Sequence, residues 1–469
     1  MFKIALINPA LSTEYSQPPL GLALIAGLLE REGYRVTLVD ADALKLKPEE
    51  IAPIVADADV VGLTAMTPMI NSALTITRHL KKVHPELPVV LGGTHATLLP
   101  EETMRVAPEI DVLVKGEGEE TIVDLLRAME TNQSFTDIPG ISFRKDGKVV
   151  NNPPRLTNVD LDSLPFLAYH MLPQRKYTPH PPHGRAFPFA AIITSRGCPY
   201  KCSYCSKPIF GYKFRGQSPE RVVEEIAYYK ERFGVQEIAF YDDVFTLNKK
   251  RSLEIADGLI KKRLKIHWTC ESRVNLVDKE LLTHIKHAGC YAIAYGIESG
   301  SQDILNILDK DLTLEQIEKA VRFSREVGLQ TIGYFMLGAP GETPETIRQT
   351  IQFAKKLKLD FVQFSIATPF PGTKLYDLYT TGKKGDTISW ENFIYAGSGG
   401  KTTPVFESNL LNREDIQCWV KRAYQMFYLR PYYLWQRLSH ITSFGDLKVS
   451  IRGLSMLVDI IKPLGKGTK

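Results

Sequence analysis

Two series of apolar runs divide the chain. From residue 1 to 135, the runs KIALIN, YRVTLVDA, DVVGLTAM, PVVLGG and IDVLVKG alternate with stretches of helical spacing at 20–32, 71–84 and 119–130. The runs are nearly continuous in hydrophobicity, as strands buried on both faces are. They predict an open, doubly wound, parallel α/β sheet of Rossmann-like form. Residues 136–186 change character. RKDGKV reads as a small hairpin turning at Asp-Gly. NVDLDSLPFLAYHMLP and TPHPPHGRAFP follow as a proline-rich linker, with His170, His180 and His183 as ordinary loop histidines.

From 187 to 405 alternation resumes. FAAIITSRG, EIAFYDD, IHWTCESR, YAIAYGIES, TIGYFMLG and FVQFSIA are separated by helical patterns at 220–233, 249–263, 279–287, 314–327 and 344–358. Six such units fall short of the eight of a closed barrel and predict a partial (β/α)6, TIM-like barrel. Residues 406–469 leave this pattern. WVKRAYQMFYLRPYYLWQRL and SFGDLKVSIRGLSMLVDII read as a helical, basic extension.

Composition adds limits. Of 469 residues, 44% are hydrophobic and 24% charged, the balance of a globular domain protein. The first apolar run is cut by Asn8-Pro9, too soon for a secretory signal, and no run approaches the ~20 residues that span a bilayer. A cytoplasmic protein is expected. The net charge of +5 resides in residues 413–469, which hold ten Lys or Arg against four Asp or Glu. The body is therefore close to neutral, and nucleic acid is not an expected partner. The tail reads as a helical cap on the barrel with a solvated basic face. Its aromatics also suit peripheral contact with an anionic membrane at the inner face, which would favour a lipid or isoprenoid substrate.

Ligands of doubly wound sheets bind at the carboxyl ends of the strands. Here those ends read PPLGL, LTAMTPM, GGTHAT and GEGEET, where glycines admit a large flat ligand close to the backbone. No G-x-G-x-x-G follows the first strand, so a nicotinamide cofactor is not expected. In the barrel, Asp242, Asp243, Glu271, Arg273, Glu298 and Ser299 collect at strand ends, the face that carries chemistry in such folds.

Six cysteines are too few for a disulfide scaffold, and three of them, Cys198, Cys202 and Cys205, crowd into SRGCPYKCSYCSKP as C-x3-C-x2-C. Three thiolates from one loop suggest a [4Fe–4S] cluster with one iron open for chemistry. Structural zinc, completed by Cys270 or Cys290, is the alternative.

The cysteine spacing, with Tyr204 before the third cysteine, resembles the signature of the radical S-adenosylmethionine superfamily. PPLGL, GGTHAT, GEGEET, YDDVF, GIESGS, GAPGET and TPFPGT extend the resemblance to its cobalamin-binding branch over most of the chain. The resemblance implies that Cys198, Cys202 and Cys205 hold the cluster and that S-adenosylmethionine chelates the open iron. It implies that Tyr204 packs near the adenine and that Asp242 accepts from the substrate's ammonium group. Arg273 would pair with its carboxylate and Glu271 would orient that arginine. Glu298 would bond a ribose hydroxyl, and Gly338 and Pro340 would shape the adenine pocket. Cobalamin would lie against Gly21, Thr64, Ala65, Met66, Gly92, Gly93, Thr94, His95, Gly116, Glu117 and Gly118. The chain departs from cobalamin domains that donate an axial histidine: D-x-H-x-x-G is absent, and the nearest aspartates read DADALK from Asp40. His95 is then expected to touch the corrin or its tail, with residues 64–66 facing the cobalt's lower side.

The implied activity is methylation of an unactivated carbon of a small-molecule or lipid substrate, fed by an external electron donor such as flavodoxin or ferredoxin. Cobalamin-dependent radical cyclisation or rearrangement is a second reading, and a non-catalytic cobalamin or redox sensor a third.

Overall fold

The structure is a computed structural model. It describes residues 1–11, 15–156, 159–177, 183–380, 390, 393, 410–431, 433 and 451. His180 and nearly all of the aromatic and basic tail beyond 433, with its expected membrane contact, lie outside the described residues.

Among the described residues the first sheet has seven strands in the order β2-β1-β3-β4-β5-β6-β7. The first five are β1 (Lys3–Asn8), β2 (Arg35–Asp40), β3 (Val60–Thr64), β4 (Val89–Gly92) and β5 (Val112–Val114), all parallel. Their apolar residues face two cores, one on each side of the sheet, which accounts for the unbroken hydrophobic runs. The hairpin β6 (Ile141–Lys145) and β7 (Lys148–Asn151) is not free-standing. It pairs antiparallel with β5 and carries the sheet past residue 135, making it mixed rather than purely parallel.

The connector that follows is pinned between the two halves. Ala168 N–H donates to Ala23 O, and Leu167 N–H donates to the Tyr229 hydroxyl at 3.0 Å. The approach is so close that a side chain at Gly27 would meet Phe166 O at 2.8 Å.

The second sheet runs β15-β14-β13-β12-β11-β8 and is parallel throughout. Its strands are β8 (Phe189–Ile192), β11 (Glu237–Phe240), β12 (His267–Ser272), β13 (Cys290–Glu298), β14 (Gln330–Leu337) and β15 (Phe361–Ile366). A two-residue pair, β9 (Ser195–Arg196) and β10 (Arg215–Gly216), sits at the end of β8. Helices Pro219–Phe233, Lys249–Lys261, Lys279–His287, Leu314–Glu326 and Pro344–Lys356 wrap the outside. Their apolar faces join the strands in one core around Trp268, Tyr295 and Phe335. The six-unit partial barrel read from the sequence is thus present. Helix Arg413–Tyr428 lies along β15, with Tyr424 and Tyr428 bonded to that strand's backbone.

Candidate functional site

The cysteine loop leaves the barrel at the end of β8, and its root is held by buried charge. Asp242 accepts from Thr194 N–H and Thr194 Oγ1, each at 2.7 Å, and from Ser195 N–H. Arg251 donates from Nη2 to Thr194 O and from Nε to Gln217 O. Burial raises the Asp242 carboxyl above its ordinary range. Both Asp242 oxygens are therefore engaged with the loop's own root. This corrects the expectation that they face a substrate ammonium group.

Further along, the loop is tied to its surroundings at several points. Gly197 takes φ +82, and a Cβ there would lie 2.3 Å from Lys213 O, so this turn requires glycine. Cys198 N–H donates to Gly211 O and Ser203 N–H to Leu308 O. Cys198, Cys202 and Cys205 are all free thiols, the first buried and the other two partly so. Burial pushes the Cys205 thiol up to about 11, with the neighbouring Cys202 and Cys198 adding to that rise. Among the described residues the thiols do not already converge into a closed metal cage. Three soft donors on one anchored loop fit an iron–sulfur cluster by their chemistry.

Arg273 flanks this loop. Its guanidinium lies 3.6 Å above the Tyr200 ring, Nη1 is 3.6 Å from Cys202 Sγ, and Nη2 donates to Lys310 O. Glu271 does not orient Arg273 as expected; it accepts from the Tyr334 hydroxyl at 3.2 Å. Burial pushes its carboxyl up to about 7.

Glu298, in the left-handed region at φ +68, faces Tyr204. Its Oε1 accepts from the Tyr204 hydroxyl at 2.9 Å and pairs with Lys310 Nζ at 2.8 Å. Lys310 also donates to the Tyr204 hydroxyl. Tyr204 and Glu298 are thus brought together beside the cysteines, with Lys310 as the partner that sequence reasoning missed. At the end of β14, Gly338 and Ala339 N–H donate to the buried Glu342, and Pro340 follows in the same turn.

The strand ends of the first sheet open on a cavity of about 220 Å³, partly open to solvent. Gly21, Thr64, Gly92, Gly93, Gly116, Glu117 and Gly118 all line it, so seven expected cobalamin contacts converge. Its remaining walls are largely apolar, including Leu6, Leu20, Val90, Val114 and Ile122. A Cβ on Gly93 would lie 2.7 Å from Ala65 O, and the residue takes φ +95. Glycine here keeps the strand end low beneath the cavity. Ala65, Met66, Thr94 and His95 do not line it. His95 is fully buried, with Nδ1 3.2 Å from Thr67 Oγ1 and its ring edge-on to Trp390. Burial lowers its pKa to about 4, and its Nε2 has no hydrogen-bond partner among the described residues. The cavity also takes walls from the barrel, among them Ile193, Arg196, Phe210 and Gln217. These were not legible as site residues, because only the packing of the two domains brings them there.

Comparisons with known proteins agree with this geometry. Residues 192–354 match the Radical SAM superfamily and residues 10–126 the B12 binding domain. An uncharacterised methyltransferase of Pyrococcus horikoshii is 39% identical over 440 residues, covering 93% of each chain. Anaerobic magnesium-protoporphyrin IX monomethyl ester cyclase of Rubrivivax gelatinosus is 30% identical over 426 residues, 89% of this chain and 75% of that protein. In fold, the chain resembles the radical S-adenosylmethionine methyltransferase TsrM of Kitasatospora setae, solved with cobalamin and a [4Fe–4S] cluster. The TM-score is 0.69 at 21% identity, over 81% of this chain and 75% of that one. With both domains matched, the chain belongs to the cobalamin-dependent radical S-adenosylmethionine enzymes of the methyltransferase kind, which use a [4Fe–4S] cluster, S-adenosylmethionine and cobalamin.

Proposed function

We propose that the protein methylates an unactivated carbon of a small-molecule or lipid substrate. The observation that carries this reading is the meeting of a glycine-floored, largely apolar cavity with a three-thiol loop, Arg196 belonging to both. When bound, the cluster with S-adenosylmethionine supplies one-electron reductive cleavage, and the corrinoid carries the methyl group. The chain's own residues bind and orient. Cys198, Cys202 and Cys205 hold the cluster, with Arg273 against Cys202. Tyr204, Glu298 and Lys310 form one wall of the S-adenosylmethionine site, and the Gly338 turn another. Gly21, Thr64, Gly92, Gly93, Gly116 and Gly118 floor the corrinoid site.

An external electron carrier such as flavodoxin or ferredoxin supplies the electron. Lys201 and Lys213 stand exposed on the cysteine loop, and no Asp or Glu occurs between residues 163 and 219. That surface suits an acidic carrier.

A second reading, cobalamin-dependent cyclisation, is favoured by the similarity to the Rubrivivax cyclase. One experiment separates the two. The chain, reconstituted without oxygen, is incubated with S-adenosylmethionine, methylcobalamin, a strong reductant and candidate substrates. Methyl transfer yields both 5′-deoxyadenosine and S-adenosylhomocysteine, whereas cyclisation yields no S-adenosylhomocysteine. Cys202→Ala is expected to bring 5′-deoxyadenosine to background. Failure of the chain to bind either cobalamin or an iron–sulfur cluster would refute both readings.

A further inference from the structure

Four charged side chains meet where the two domains join. Arg196, on β9, donates from Nη1 to Glu117 Oε2 and from Nη2 to Glu119 Oε1. Arg215, directly opposite on β10, donates to both oxygens of Glu117, the longer contact being 3.3 Å. Glu117 lies in the turn after β5 and Glu119 opens the helix Glu119–Glu130 that follows it, so every bond crosses from the first domain to the barrel. The side chains of Glu117, Glu119 and Arg196 are only 2%, 8% and 7% exposed.

Two carboxylates and two guanidinium groups leave the group neutral. Burying it still costs desolvation that apolar side chains of equal volume would avoid. Its return is geometric: a guanidinium fork meets carboxylates in few arrangements, so the pairing sets one registry between the domains.

The position of the group gives that registry a use. Glu117, Glu119 and Arg196 line the cavity together with Gly116 and Gly118. The Arg196 guanidinium lies 5.0 Å over Phe210, another cavity wall. Arg196 also stands two residues before Cys198. Gly197 between them is pressed against Lys213 O, and Cys198 N–H is bonded to Gly211 O. That short segment has little slack. A shift of the Glu117–Glu119 turn therefore displaces Arg196, and with it the first cysteine.

We propose that this ionic clamp couples the two cofactor sites. A corrinoid in the cavity fixes the Glu117–Glu119 turn, which fixes Arg196 and holds the cysteine loop in the form that binds S-adenosylmethionine. Arg196 and Glu119 act as positioning residues. The inference rests on the cofactor assignment above. Because coupling between binding sites is reciprocal, each ligand tightens the other by the same factor.

The test uses the full chain reconstituted with its cluster. S-Adenosylmethionine binding is measured with and without hydroxocobalamin, and hydroxocobalamin binding with and without S-adenosylmethionine. Iron content and the electron paramagnetic resonance spectrum of the reduced cluster are recorded alongside. In the wild type each ligand is expected to tighten the other about tenfold, within the usual range of such couplings. Glu119→Gln keeps the Glu117–Arg215 pair intact, and Arg196→Lys keeps the charge but loses the fork. In both, the coupling factor is expected to fall toward one, whatever the substitution does to the affinity for either ligand alone. A merely structural role would lower both affinities and leave their coupling factor unchanged. Independent binding in the wild type, or the full factor retained in both variants, overturns the clamp. A wild-type protein that binds neither ligand overturns the cofactor assignment itself.

Discussion

Glu342 shows how one buried carboxyl can tie stability to pH. It is fully buried, its Oε2 accepts from Gly338 and Ala339 N–H, and its Oε1 has no hydrogen-bond partner among the described residues. Burial pushes its pKa up to about 7 from an ordinary 4.5, so the fold favours the neutral acid. The stability this contributes is complete below pH 4.5 and is lost as pH rises through 7. Glu342→Gln keeps a carbonyl for the two N–H groups and removes the titration. Urea unfolding at successive pH values should show the wild type losing on the order of 3 kcal/mol more than the variant between pH 5 and 8. Glu271, also raised to about 7, titrates in both proteins, so the difference isolates Glu342. Equal slopes would refute the assignment. At this scale the cysteines were legible because their spacing is local. Lys310 was not, because its bonds to Glu298 and Tyr204 span 12 and 106 positions of chain. Asp242 was assigned to a ligand because the sequence does not show that Thr194 and Ser195 take up its oxygens.

At the scale of elements, strands and helices followed the apolar pattern closely, since strands buried on both faces and amphipathic helices leave different periods. The hairpin at 141–151 was recognised by its Asp-Gly turn, but its pairing with β5 was not, because strand partnership leaves no local mark. The same holds for β15, which among the described residues stands last in the barrel sheet. Two tyrosines of helix Arg413–Tyr428 lie along its outer side. Tyr428 Oη meets both Val362 N–H and O at 2.9 Å, and Tyr424 Oη meets Phe364 N–H at 3.1 Å and O at 3.4 Å. An uncovered strand edge invites pairing with other chains. Phenylalanine preserves both ring volumes and removes both hydroxyls. The double variant Tyr424→Phe/Tyr428→Phe is expected to lose about 2–4 kcal/mol of stability, since two strand amides are left short of acceptors. It should also associate with itself more readily in analytical ultracentrifugation. Unchanged stability and a monomer–oligomer balance equal to the wild type's would show that the helix covers the edge without sealing it.

Across the whole molecule, the two domains are joined more firmly than a two-domain sequence suggests. The barrel core takes in Ala23 and Ala43 of the first domain and Tyr169, Leu172 and Tyr177 of the connector. Tyr177 donates to Asp40 Oδ2 at the end of β2, and Arg31 reaches Ser163 O. The charges of Glu117, Glu119, Arg196 and Arg215 are buried only while the domains stay together. Separating them would expose apolar surface and break those pairs at once, so unfolding one half removes support from the other. One cooperative transition in urea is therefore expected. The distribution of tryptophan makes this measurable, since Trp268, Trp390, Trp419 and Trp435 all lie after residue 186. Fluorescence then reports the barrel, the junction at His95–Trp390 and the tail, while far-ultraviolet circular dichroism reports helices of both domains. Coincident midpoints for the two signals are expected. A circular dichroism transition that precedes the fluorescence change would mean that the first domain melts alone, and the shared core and buried charges would then not bind the halves into one unit.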